Sequence, residues 1–132
     1  KNIKQNFNSN YNEFVQRTLL CDYSDLLQKH FGKDCWAKAM SYAIEQSKEK
    51  YIFVDDLRRP IELDYLIKEH GKENILTVYL TKEDTEEVVL SDSSSAYEGQ
   101  LDPNTFDIQF KFTSDWNNTD ELITLINTKL VH

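Results

Sequence analysis

YIFVDDLRRPIELDYL, residues 51–66, runs four aromatic and branched residues directly into two aspartates, two arginines and a proline. A short, continuous apolar run of this kind is the pattern of a strand buried on both faces. Pro60 suits the first turn of a helix, where its missing N–H leaves no hydrogen bond unmade. Ile61, Leu63, Tyr65, Leu66 and Ile67 carry that helix to Gly71. Four charges therefore stand where a strand is expected to meet a helix, and in an open α/β sheet that junction is the edge at which polar ligands bind.

Outward from this stretch, residues 75–80 (ILTVYL) read as a second buried strand, and 106–112 (FDIQFKF), which alternates, as a third. The polar residues 81–105 between them contain SDSSS and read as a loop or lid. Upstream, 11–20 places Tyr11, Phe14, Val15, Thr18 and Leu19 on one helical face, and 23–32 follows as a shorter helix ended by Gly32. Asp34 stands where it would cap a third helix over 35–48, with Trp36, Ala39, Met40, Ala43 and Ile44 as its apolar stripe. Asn118 or Thr119 would cap a last helix that turns Leu122, Ile123, Leu125, Ile126 and Leu130 inward. The expected fold is α/β, a mostly parallel sheet with flanking helices and right-handed crossovers. A polar, flexible N-terminus (1–10) precedes a single domain, 11–132.

The 132 residues carry a net charge of −8, which argues against a nucleic-acid backbone as partner, since that requires clustered cations. A small anion is compatible with it, because a few local arginines dominate a pocket. So is an acidic surface that mimics DNA. No apolar run approaches the roughly 20 residues of a membrane span and no signal peptide is evident, so a soluble, cytoplasmic protein is expected. Cys21 and Cys35 show no CxxC spacing and no nearby histidine pair, and are expected to be reduced thiols rather than metal ligands. The chain opens on Lys1 rather than Met, as a fragment or processed product would.

Each candidate site residue has two readings. Asp56, and less so Asp55, would hold the water shell of Mg²⁺ or accept from a substrate hydroxyl, or would simply favour the following helix N-terminus. Arg58 and Arg59 oppose the helix dipole there, a cost that a bound phosphate or carboxylate would offset, as would an ion pair such as Arg58 with Glu62. Glu62 either orients an arginine or caps its own helix. Arg17, on the first helix, is ligand-facing or solvated; Trp36 is core or a stacking platform. His30 and His70 sit beside glycines at helix ends, where a cation suits the dipole, and His132 is terminal. There is no HExxH, no GxSxG and no GxxxxGK[ST], and three glycines in the whole chain cannot build a phosphate-cradling loop in the usual way.

Taken in order, these segments resemble phage-type deoxynucleoside monophosphate kinases and the related animal phosphomevalonate kinases. YIFVDDLRRPIELDYL is similar to their strand–Asp–x–Arg element with a following glutamate, matched at Asp56, Arg58 and more loosely Glu62. RTLLCDYSDLLQKHFGKDCWAKAM (17–40) is similar to a helix pair that begins with an arginine and leads into Gly-x-Asp-x-Trp, matched at Arg17, Gly32, Asp34 and Trp36. YEGQLDPNTFDIQFKF (97–112) and the helix after it are similar to the closing section of that family, with Glu98 and Leu101 in a Glu-x-x-Leu pattern and an aspartate before the last strand. The resemblance spans roughly residues 13–130, and it is the shared order of degenerate motifs that carries it.

The resemblance implies a fold like that of P-loop nucleoside monophosphate kinases without the first, P-loop strand. It implies a nucleoside monophosphate as ligand, with Arg17, Arg58 and Arg59 on the acceptor phosphate, Asp56 positioning it, and Glu62, Trp36 and Glu98 in support. Two departures stand out: the P-loop is missing, and an asparagine usual after the last strand is replaced by Phe112. Without the P-loop lysine and its Mg²⁺-binding hydroxyl nothing neutralises the transferred phosphoryl group, so ATP and Mg²⁺ enter only if other residues supply that loop. The Asn- and Lys-rich usage fits a low-GC genome such as that of a phage or other virus. The alternative is an inactive, viral protein-binding or inhibitory module on the same scaffold.

Overall fold

A computed structural model describes residues 13–84 and 101–130. The chain divides into two compact units, Lys1–Phe53 and Val54–His132. The expected N-terminal tail, Glu98 and the SDSSS run lie outside the described residues.

The first unit is a helical hairpin, α1 (Glu13–Phe31) and α2 (Cys35–Gln46). The two helices expected over 11–32 are one, because no proline or glycine interrupts the run before Gly32. Gly32 takes φ +95°, a conformation that disfavours any side chain, and donates its N–H to the Gln28 carbonyl. Asp34 occupies the cap position of α2 but makes no cap bond; its carboxylate pairs with Lys38 one turn on, at 3.1 Å. The buried residues of α2 are the small ones, Ala37 and Ser41. Ala39 and Ala43, expected in the stripe, are exposed, since the inward arc runs through 37, 41 and half-buried Ile44.

The second unit contains α3 (Pro60–His70), strand β1 (Val78–Lys82), strand β2 (Ile108–Phe112) and α4 (Thr119–Leu130). β1 and β2 pair in parallel, Val78 opposite Ile108 through Lys82 opposite Phe112. The chain is thus α/β with a parallel sheet, as its alternating strand and helix patterns predict. That sheet has two strands among the described residues. The strand expected at 51–54 is not formed: residues 51–59 are irregular, and Tyr51, Ile52, Phe53 and Val54 are all exposed, Phe53 by 78%. An apolar run signals a demand for burial, but a strand also requires a neighbour for its backbone N–H and C=O groups, and among the described residues this run has no ladder partner.

The sheet starts at a polar clamp. Asp107, directly before β2, accepts with Oδ2 from Lys72 Nζ (2.8 Å), the Thr77 N–H (2.8 Å) and the Thr77 hydroxyl (2.7 Å). Its own N–H donates to Thr77 Oγ1. These bonds bring the two strand entries level, and β1 begins at Val78 rather than at Ile75. One sheet face then covers α4: Ile108, Phe110 and Leu122 are buried, with Leu76, Val78, Phe112 and Ile126 against them.

Candidate functional site

The four charges of the 55–59 junction, with Glu62, sort into a buried pair, an exposed pair and an exposed Asp55. Arg59 and Glu62 are buried, and the Arg59 guanidinium meets Glu62 Oε1 at 3.0 Å through Nη2 and 3.1 Å through Nε. Glu62 Oε2 accepts from the backbone N–H groups of both Arg58 and Arg59, each at 3.2 Å. Glutamate at the third helical position thereby satisfies donors that the helix start leaves open, the acidic half of a capping box. Arginine has no acceptor for the reciprocal half, and its guanidinium closes back on the same carboxylate instead.

The exposed pair is Asp56 and Arg58, with Arg58 Nε 3.3 Å from Asp56 Oδ1 and side chains 52% and 77% exposed for Arg58 and Asp56 respectively. Asp55 is exposed beside them. The ion pair expected between Arg58 and Glu62 is thus made by Arg59, while Arg58 donates only its backbone N–H to that glutamate. Trp36, in the first unit, donates its indole N–H to Ser24 Oγ at 2.9 Å, tying α2 to α1. The side chain of Arg17 is outside what the structure describes, as is Glu98.

Two further groupings sit at the ends of the strand pair, and neither is among the sites expected from the sequence. At the entry edge, burial is the largest single influence on the Asp107 carboxyl and pushes it up. The hydrogen bonds from Lys72 and Thr77, with the lysine charge, outweigh that and hold it at about 2 against an ordinary 3.8. At the carboxyl edge, Trp116 takes a left-handed backbone (φ +63°), stands half exposed, and lies 4.8 Å from the Phe112 ring with Lys82 Nζ 4.8 Å over its own ring. The turn that presents it is closed by Asp115, which accepts from the Thr113 hydroxyl (2.7 Å) and the Asn117 N–H, and these bonds lower its carboxyl.

Of the two residues expected as the cap of α4, Asn118 turns the other way, its Oδ1 accepting from the Thr113 N–H and its Nδ2 donating to the Lys111 carbonyl, and the Thr119 hydroxyl donates to the Trp116 carbonyl. The signal for this turn is the cluster TSDWNN directly after a strand, turn-forming residues around one large aromatic. Beside the strand pair, a concavity of about 300 Å³ is lined by Tyr79, Thr81, Pro103, Gln109, Phe110 and Lys111. That is the lower limit for a small-molecule pocket, and none of the 55–62 charges lines it.

Compared with protein-family models, with curated proteins and with solved structures, the chain matches none. Among the described residues no three His, Cys, Asp or Glu side chains gather as metal ligands, and no helix is long and apolar enough to cross a membrane.

Proposed function

We propose that this chain is the acceptor-side part of a nucleoside-monophosphate-kinase-like protein and binds the phosphate of a (deoxy)nucleoside monophosphate at Arg58. The observation that carries the reading is the division of labour at the start of α3. Glu62 and Arg59 are occupied with each other and with the backbone, while Asp56 and Arg58 are left at the surface. A guanidinium beside a helix N-terminus opposes the dipole, and a phosphate there satisfies both the cation and the positive end of the helix. Asp56 orients Arg58 in the free protein and accepts from a ligand hydroxyl or shares the cation in the bound one. Phosphoryl transfer requires a donor site that these residues do not supply, so binding, not turnover, is the activity assigned to this chain.

A thermal-shift titration with a panel of deoxynucleoside monophosphates, beside ATP–Mg²⁺, tests this. A monophosphate at one hundred times its dissociation constant stabilises the folded chain by about 2.7 kcal/mol, and ATP–Mg²⁺ alone does not. No response to any nucleotide removes the acceptor site. A second reading then stands in its place, a protein-binding module, which the exposed apolar run Tyr51–Val54 favours.

A further inference from the structure

The helix α1 carries an apolar seam that α2 does not cover. Leu19, Tyr23 and Leu26 are each half exposed or more (50%, 59% and 52%), and with exposed His30 they follow the alternating four- and three-residue spacing of a coiled-coil seam. Ser24, which receives the Trp36 indole of α2, lies about 130° round the helix from that seam at 3.6 residues per turn. Leu20 and Leu27 flank the seam on one side, Asp22 and Lys29 on the other.

We propose that this face of α1 is a docking surface for a second copy of the same chain, with the two α1 helices antiparallel about a two-fold axis. The charge pattern selects both the occupant and the orientation. In an antiparallel pair, residues on one flank meet the same flank of the partner helix. Tyr23 then faces Leu26 of the second copy, Leu19 faces His30, and Leu20 faces Leu27. On the other flank Asp22 faces Lys29, and the two-fold axis repeats that pair. A parallel pair would set Asp22 against Leu27 and leave Lys29 opposite position 34, past the end of α1, so that neither charge meets its opposite within the helix pair. The self-complementary order, acid and base seven residues apart on one flank, is what an isologous antiparallel contact requires.

A seam of four layers is small, so the dimer falls in the weak class, with a dissociation constant on the order of 10 µM. Sedimentation velocity of the full chain, from well below to well above that concentration, is expected to show monomer passing to dimer. Asp22→Lys and Lys29→Asp each place like charges opposite one another and are expected to weaken the dimer at least tenfold. Both sites face solvent, and circular dichroism checks that each variant keeps its helices. Mixing the two variants restores opposite charges at both positions and is expected to recover a heterodimer, as the double variant Asp22→Lys/Lys29→Asp recovers a homodimer. A monomer at every concentration overturns the proposal, as does a dimer indifferent to the single substitutions or a mixture that fails to assemble.

Discussion

The Glu62 carboxylate accepts from the N–H groups of Arg58 and Arg59 and pairs with the Arg59 guanidinium, all from a position 6% exposed. Removing one member of a buried ion pair costs far more than the pair contributes, because the other charge keeps its desolvation and loses its counter-charge. Glu62→Ala is therefore expected to destabilise the fold by about 3 kcal/mol in urea unfolding. Replacing both members by apolar residues, Arg59→Met with Glu62→Leu, is expected to recover most of that loss; a double variant as unstable as the single one contradicts the account. At Asp107 the folded carboxyl lies at about 2 and the ordinary one at 3.8. A depressed acid stabilises the fold above its unfolded value, so the contribution is complete above pH 3.8 and is lost as pH falls toward 2. With a third of the side chain in water, it amounts to about 1 kcal/mol. Urea midpoints of wild type and Asp107→Asn should converge across that window on acidification, and parallel curves would show that the clamp carries no such linkage.

Among the elements, α4 shows how a helix selects one stripe from many apolar residues. Five of its side chains were expected inward; Leu122 is buried and Ile126 and Leu130 half-buried, while Ile123 and Leu125 are 51% and 44% exposed. The spacing 122, 126, 130 is a four-residue ridge, and Leu122 and Ile126 on it meet the core face of β1 and β2. Leu122→Ala is accordingly expected to cost 2–4 kcal/mol and Ile123→Ala less than about 0.5 kcal/mol, read as paired shifts in urea midpoint. Equal losses would mean that the helix presents a different face. The start of α3 at Pro60 and the positive-φ glycines 32 and 71 at helix ends were legible, because those residue types act through their own backbones. The edges of β1 were not, since its first residue is set by Asp107, thirty positions away, and nothing local at Ile75 encodes that.

For the molecule as a whole, alternating patterns were enough to give α/β and a parallel sheet, and local chemistry enough to place charges at the start of α3, but the strand expected to lead into them, and with it their place at a sheet edge, is not formed. What the chain did not disclose was how its charges would pair. Arg58 and Arg59 are neighbours of identical chemistry, yet one is buried against Glu62 and the other faces solvent, a choice made by which side of the chain the helix start turns inward. The run at 51–54 failed for the opposite reason: its apolarity was plain, but a strand also needs a ladder partner, and among the described residues none pairs with it. Trp116 and its turn were missed because a single aromatic among turn residues has no periodicity to read. The most direct test of the acceptor-site account is a calorimetric titration of deoxynucleoside monophosphates into the wild-type chain and into Arg58→Gln. The account predicts saturable binding of at least one monophosphate by the wild type and a loss of 10-fold or more in affinity for the variant, the worth of one charge-assisted phosphate contact at about 1.5–3 kcal/mol. Equal binding by both proteins, or none by the wild type, would contradict it.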